Sequence, residues 1–513
     1  MNYKNPVKRG FFPDPSVIRV GNDYYMVNSS FQYFPAIPIS HSTDLVHWET
    51  IGHAITDSSY LDLSETMDSR GIWAPDISYH NGKFYIFATL RFNSQSSAEG
   101  PMRCQLVMTS DKPEGPYSKP VRLPVDNIDP SHFIDDDGKH YMIIAPGITI
   151  VPLDDTCTKV IREPIQAWEG TGERCPEGPH ILKKDDFYYA IIAEGGTGYG
   201  HGINVGRSKS LFGPYVPSPY NPVMRQKDTT APIQRTGHGK LVQTQNGDWW
   251  VTYLCGRPNG GNYTTIGRET ALDPVQWTED GWFTINNGNG PSLEQTAPLL
   301  PQTTYSAFER DDFNSDKLNL NWEFVRNPDY KTFTLTERKG FARIYTQPSK
   351  LFELSAKNTL LRREEELCYI AETCLEFNPK GAEQAGLTCY YSTATYARLS
   401  LCIKNNIRTL ELVINRNHGE ELIASVSNIP QGKIYLRVET NHLTRSFYWG
   451  TDINHMYLCG KLDNCIYLCD EGAPDDPKRH TGTLVGIYAN GGGSDSRIPA
   501  DFDYFCYNNK IEQ

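Results

Sequence analysis

The sequence predicts an all-β protein, a five-bladed β-propeller followed by a C-terminal β-sandwich. Three observations lead there. One pattern recurs five times in the first 300 residues, with no helical period of useful length among the copies. Short alternating segments bounded by turn residues fill the remainder. The chain has 513 residues, more than one domain needs, so two units are the natural division.

The repeat reads DPSVIRVGNDYYMV from Asp14, APDISYHNGKFYIF from Ala74 and DPSHFIDDDGKHYMII from Asp129. It continues as EGPHILKKDDFYYAII from Glu177 and HGKLVQTQNGDWWVTY from His238. The starts lie 60, 55, 48 and 61 residues apart. Each copy is two strands joined at Gly-Asn-Asp, Asn-Gly, Asp-Asp-Gly, Asp-Asp or Asn-Gly, which is hairpin chemistry. Between these hairpins HSTDLVHW (41–48), TSDKPEGPY (109–117) and RSKSLFGPY (207–215) echo one another and predict an outer pair of strands. Four strands in roughly 60 residues is the size of a propeller blade, so residues 1–300 hold five.

A Pro- and Thr-containing connector, SLEQTAPLLPQTTYSAF (292–308), marks a shift in composition. Beyond it ARLSLCIKN (397–405), TLELVIN (409–415) and KIYLRVETN (433–441) alternate as half-buried strands do. Residues 308–513 are therefore expected to form a β-sandwich.

Composition narrows the function. A net charge of −12 repels polyphosphate and argues against nucleic acid. No stretch approaches the roughly 18 apolar residues of a membrane span. The start, MNYKNPVKRGFFPDPS, lacks an apolar signal core, so a cytoplasmic location is expected. Twelve cysteines form no CxxC pair and none stands at zinc-ligand spacing with histidines, so reduced, mostly buried thiols are expected. There is no P-loop or dinucleotide fingerprint; GGT (195–197) and NGNG (287–290) lack the helix that phosphate binding uses. The chain holds 30 Tyr and 9 Trp, which suit a β core and also surfaces that stack on sugars.

The repeat also places the chemistry. The innermost strand of every blade lines the propeller axis. Asp14, Ala74, Asp129, Glu177 and His238 are equivalent positions and should ring one mouth of that channel. An isolated Asp-Pro commonly starts a turn. Three convergent acids are different, because like charges raise each other's pKa values and are costly to gather. Such a set is the equipment of glycoside hydrolysis, in which one acid protonates the leaving oxygen and one carboxylate activates water. Carboxylates set across a channel on different blades are more easily far apart than close, which favours inversion.

In this order GFFPDPS (10–16), STDLVHW (42–48), GIWAPDISYHNGKFY (71–85), DNIDPSHFIDDDGKHY (126–141), CPEGPHILKK (175–184), AEGGTGYGHGINVGRS (193–208), TGHGKLVQTQNGDWW (236–250) and GRETAL (267–272) are specific. The chain resembles glycoside hydrolase family 43, in its two-domain β-xylosidase and α-L-arabinofuranosidase branch, over essentially its whole length. The resemblance implies an inverting, exo-acting enzyme that releases xylose from the non-reducing ends of β-1,4-xylo-oligosaccharides. The alternatives are an α-L-arabinofuranosidase acting on arabinoxylan fragments, an enzyme with both activities, or, remotely, a sugar-binding propeller without catalysis. By motif, Asp14 matches the general base, Glu177 the general acid and Asp129 the residue that tunes and orients that acid. Phe31, Trp73, Ala74, Thr197, His238 and Arg268 match the sugar-binding pocket. The family implies no cofactor for hydrolysis, allows a calcium ion on the propeller axis near His238, and often forms homo-oligomers. It implies a concanavalin-like sandwich whose loop at Ala489–Ser496 reaches over the pocket and narrows it.

Overall fold

Hairpin turns and alternating apolar runs become five antiparallel sheets around one axis. The computed structural model describes residues 1–305, 307–417, 419–474 and 480–509, so residues 510–513 of the expected sandwich lie outside it. Blade one comprises Ser16–Val20, Asp23–Val27, Ala36–Ser42 and Glu49–Ile55. Blade two comprises Gly71–His80, Lys83–Arg91, Arg103–Ser110 and Val121–Leu123. Blade three comprises Ser131–Ile134, His140–Ile144, Ile148–Pro152 and Ile165–Trp168. Glu177–Lys184, Phe187–Glu194, Gly202–Ser208 and Val216–Pro217 make blade four, with Met224–Arg225 also paired to its third strand. Gln234–Gln243, Trp249–Gly256, Arg268–Trp277 and Phe283–Ile285 make blade five. The three echo segments are not outer strand pairs in themselves. Each holds the end of a third strand and the turn leading to the fourth, which is short in blades two and four.

The first strand of each blade is innermost. Ser16–Val20 touches both Gly71–His80 and Gln234–Gln243, which closes the ring between blades one and five. A polar pin reinforces that closure on the axis. Lys240 Nζ donates to Asp76 Oδ1 (2.6 Å), to Ser16 Oγ (2.9 Å) and to the Ile77 carbonyl (2.8 Å). The N-terminal segment closes the outside. Asn2–Lys4 pairs with Glu294–Thr296, and the Asn5 amide exchanges hydrogen bonds with the backbone of Leu272. Apolar faces of adjacent blades fill the wedges between them, as with Ile77, Ile86 and Leu106 against Ile39 and Ile55. Burying each such side chain contributes about 1.5–3 kcal/mol.

The second unit is a sandwich of two eight-stranded sheets. The strands expected at 397–405, 409–415 and 433–441 are Thr395–Lys404, Ile407–Arg416 and Ile434–Asn441. One of its sheets ends on a propeller segment, because Tyr33–Phe34 pairs with Glu323–Val325. The seam is also ionic: Arg326 meets Asp68 at 2.9 Å, and both side chains are buried. All twelve cysteines are free thiols, eight of them buried, while Cys175 is exposed. Among the described residues no helix is long and apolar enough to cross a membrane.

Candidate active site

The site is built where the inner strands begin or bulge. Asp14, Ala74, Asp129 and His238 stand at φ values of 54°, 33°, 63° and 47°, and Gly178, next to Glu177, stands at 60°. A positive φ is uncommon outside glycine and stores strain of about 1–3 kcal/mol per residue. The ladders shift register between Trp73 and Asp76, between Glu177 and His180, and between Gly237 and Lys240. In blades two, four and five these shifts mark bulges beside Ala74, Glu177 and His238. Four of the five equivalent sequence positions thus share one uncommon backbone conformation, and at Glu177 the following glycine adopts it.

The cavity they surround is about 120 Å³ and is lined by Asp14, Phe31, Trp73, Ala74, Ile128, Asp129, Glu177, Thr197, His238, Leu254, Arg268 and His480. All nine residues named from the sequence converge there. Its scale is that of one sugar ring, well below the roughly 300–1,000 Å³ of pockets for larger ligands. Phe31 and Trp73 form the apolar wall, with ring centroids 6.1 Å apart, and Trp73 Nε1 donates to the Ser69 carbonyl (2.9 Å).

Asp14 is held as an anion. Arg268 Nη1 donates to its Oδ1 at 2.8 Å and Ser29 Oγ donates to its Oδ2 at 2.6 Å. Ser29 is itself oriented by the Ala74 N–H, which donates to its oxygen at 2.7 Å. Burial pushes the Asp14 carboxyl up, but Arg268, His238 and Ser29 more than offset this and hold it below the usual range. Each oxygen has one strong partner and keeps a lone pair for water.

Asp129 is set differently. It is buried, its Oδ2 accepts the Gly178 N–H at 2.9 Å, and His238 Nδ1 lies 3.9 Å away. Burial and the neighbouring Glu177 and Asp14 charges push it up to about 7, against the opposing pull of His238. Glu177 is the more exposed of the two, and His201 Nε2 lies 3.5 Å from its Oε1. Burial raises Glu177, but His201 and His238 outweigh it and leave its carboxyl below the ordinary range. Burial and like charges thus push Asp129 up while the histidines hold Glu177 down, so the two carboxyls are driven in opposite directions.

Two glycines make room for the histidines. A Cβ on Gly178 would meet the His238 ring at 2.8 Å, and one on Gly237 would meet the His201 ring at 2.2 Å. Neither position accepts a side chain without displacing a residue that touches a carboxylate.

Three parts of the site were not drawn from the sequence. Ser29 lies in the strand-end segment Asn28-Ser29-Ser30, two positions outside the repeat. His201 lies within AEGGTGYGHGINVGRS, where its spacing carried no signal. His480 comes from the sandwich. Its carbonyl accepts from Arg268 Nε (3.3 Å) and Nη2 (3.2 Å), so the second domain holds the cation that holds Asp14. The loop at Ala489–Ser496 does not line the pocket. Its glycines fold back on the sandwich, with Gly491 N–H donating to the Gln347 carbonyl and Gly493 N–H to the Pro348 carbonyl, both at 2.6 Å. The reach over the pocket belongs instead to the segment carrying His480.

On the axis Asp76 is paired with the Lys240 ammonium at 2.6 Å, with the His180 imidazole 3.7 Å away, so that carboxylate is already engaged by a cation. The carboxylates beside His238 Nδ1 are Asp14, at 3.6 Å, and Asp129, at 3.9 Å.

Paired carboxylates of contrasting ionisation, facing a pocket the size of one sugar, define a glycoside hydrolase. The comparisons agree. Residues 3–283 match the pattern described as Glycosyl hydrolases family 43, and residues 310–508 match the Beta xylosidase C-terminal Concanavalin A-like domain. A family 43 protein of Bacillus licheniformis superposes with a TM-score of 0.97 at 54% identity, covering 99% of this chain and 100% of that one. A xylan 1,3-beta-xylosidase of a Vibrio species is 36% identical over 98% of both chains. A non-reducing end alpha-L-arabinofuranosidase of Bacteroides ovatus is 34% identical over 98% of this chain and 94% of its own. This chain belongs to glycoside hydrolase family 43, an inverting family, and is a glycosidase.

Proposed function

We propose that the enzyme releases xylose from the non-reducing ends of β-1,4-xylo-oligosaccharides. The observation that carries this reading is the small pocket with Asp14, Asp129 and Glu177 on its rim and Phe31 and Trp73 as its wall. A cavity of that size receives a terminal sugar and excludes an internal chain segment, which supports exo action.

In this mechanism Asp14 takes a proton from water as the water oxygen bonds to the anomeric carbon. The glycosidic bond breaks, and its oxygen takes a proton from Glu177. A sugar seated in the pocket expels water from over Glu177, which raises its pKa toward the range a general acid needs. Arg268 binds sugar hydroxyls and keeps Asp14 ionised. No step passes through a metal.

The relative from Bacteroides ovatus favours a second reading, α-L-arabinofuranosidase activity on arabinoxylan fragments. Xylopyranose and arabinofuranose present similar hydroxyls, so one pocket can serve both. The deciding experiment compares kcat/KM on 4-nitrophenyl β-D-xylopyranoside and α-L-arabinofuranoside, then on β-1,4- and β-1,3-xylobiose. Preference for the xyloside and the β-1,4 disaccharide supports the first reading. Preference for the arabinofuranoside replaces it with the second, and no turnover of any of them overturns both. The twelve free thiols support action in a reducing compartment, the cytoplasm.

A further inference from the structure

Between blades two and three, three side chains with soft or borderline donor atoms meet away from the pocket. His132 lies on the inner strand of blade three, His140 begins the next strand, and Cys157 sits in the turn after Ile148–Pro152. His132 Nε2 and His140 Nδ1 are 2.9 Å apart, and the Cys157 sulfur is 3.2 Å from the second and 3.6 Å from the first. Hydrolysis uses none of them. We propose that His132, His140 and Cys157 form a binding site for a zinc-like transition-metal ion that staples blade three internally.

The donor triangle is close to what such an ion needs. With Zn–N near 2.0–2.1 Å and Zn–S near 2.3 Å, a tetrahedral site spaces its nitrogens by about 3.3 Å and each nitrogen from sulfur by about 3.5 Å. The observed edges need open by only a few tenths of an ångström. Two imidazoles and a thiolate are also the ligand chemistry that zinc prefers over calcium or magnesium.

The surroundings orient the donors. Ser78 Oγ lies 2.6 Å from His132 Nδ1, an outer partner of the kind that fixes which nitrogen faces an ion. Phe87 stacks on the His132 ring at 4.7 Å, and the two imidazole planes lie within 15° of each other. Cys157 stands at φ 57°, an uncommon backbone for a non-glycine residue. That turn is pinned by Asp154, whose Oδ1 accepts the N–H groups of Thr158 (2.7 Å) and Lys159 (2.9 Å). Three protein donors leave a fourth position for water or for His80, whose ring lies edge-on to His140 at 5.8 Å. Binding is balanced by loss of the Cys157 thiol proton to solvent, with no change of oxidation state.

Cobalt(II) titration of the full-length protein tests this. The expected result is one equivalent bound, with a thiolate-to-cobalt charge-transfer band and the intense visible bands of a tetrahedral ion. Cys157→Ala should abolish the charge-transfer band, while Cys175→Ser, which removes the exposed thiol, should leave it intact. His140→Gln serves as the second variant should Cys157→Ala fail to fold, and it should weaken zinc binding at least 100-fold. Ser78→Ala should weaken zinc binding by about 10–100-fold with the far-ultraviolet spectrum unchanged. No charge-transfer band in the wild type, a band that survives Cys157→Ala, or wild-type zinc affinity in His140→Gln each overturns the proposal.

Discussion

Replacing Arg268 with Met removes a charge from beside the base while keeping most of the side-chain volume. Arg268 and Asp14 are 2.8 Å apart, and their side chains are 12% and 6% exposed. At an effective dielectric near 20, two unit charges at this range attract by about 6 kcal/mol, equivalent to about 4 pKa units. Water entering the vacated space, together with the remaining His238 and Ser29 contacts, reduces the net rise for Asp14 to about 1–2 units. The sign follows from the base's role. Asp14 must be ionised to activate water, and its pKa now lies below the ordinary value. Raising it moves the acid limb of kcat/KM upward, so activity falls away at a higher pH than in the wild type. The assay is a kcat/KM profile from pH 4 to 9 on 4-nitrophenyl β-D-xylopyranoside. Arg268→Lys restores the charge without the planar fork that also reaches the His480 carbonyl. It should return the acid limb toward the wild-type position while kcat/KM stays depressed. An acid limb unmoved in Arg268→Met, with measurable activity, would refute the assignment of Asp14 as the base held ionised by Arg268.

Other outcomes follow from the same geometry. Glu177→Ala should keep far more activity on 4-nitrophenyl xyloside than on xylobiose, because a good leaving group needs little protonation, whereas Asp14→Ala should lose both; equal losses in Glu177→Ala would contradict its role as acid. The alkaline limb should follow loss of the Glu177 proton, and Asp129→Asn should move that limb to lower pH by removing a like charge beside Glu177. The raised Asp129 pKa also makes the fold less stable as pH climbs from about 4 to about 7, since the unfolded carboxyl ionises first. The cost is bounded by ~4 kcal/mol, so Asp129→Asn should melt a few degrees higher than the wild type at pH 7.5 and no higher at pH 4. Gly482→Ala would place its Cβ 1.9 Å from the Ile266 carbonyl, push the His480 segment off Arg268, and raise KM more than it lowers thermal stability; an unchanged KM would detach the sandwich from the site.

Much of this was legible in the chain because propeller blades are repetitive. Five hairpins with turn residues at matching offsets identify the inner strands, and inner strands identify the axis. Asp14, Asp129, Glu177 and His238 then follow from equivalence alone. What equivalence cannot carry is a contact made once. Ser29 orients the base from the end of a neighbouring strand, and nothing in its local pattern sets it apart from a turn serine. His201 meets Glu177 from a third-strand start, a position with no counterpart among the repeats. The Ala489–Ser496 loop is glycine-rich and looks able to reach across, but its backbone is committed to Gln347 and Pro348. His480 reaches the pocket from a sequence far from every repeat. The His132–His140–Cys157 triad shows the same limit, since its spacings match no familiar ligand motif and only the hairpin brings the atoms together.

The pocket is a joint product of both domains, and the packing explains why. Phe31, part of the sugar-facing wall, belongs to a buried cluster with Leu361, Tyr390 and Tyr488 of the sandwich, and Trp73 packs against the same cluster. Tyr33–Phe34, two residues further on, is a strand of the sandwich sheet. The seam then runs to the other side of the pocket, where Gly267 and Gly482 approach so closely that a Cβ on Gly267 would meet the Gly482 Cα at 2.7 Å. Arg268 follows Gly267 directly, and its guanidinium bridges Asp14 and the His480 carbonyl. Sandwich contacts therefore position the aromatic wall and the Arg268 cation of the pocket. The propeller supplies the carboxylates, and the sandwich fixes the wall beside them and the cation that holds Asp14 ionised. A change in the seam should accordingly be felt as altered sugar binding and a shifted acid limb, before it is felt as unfolding.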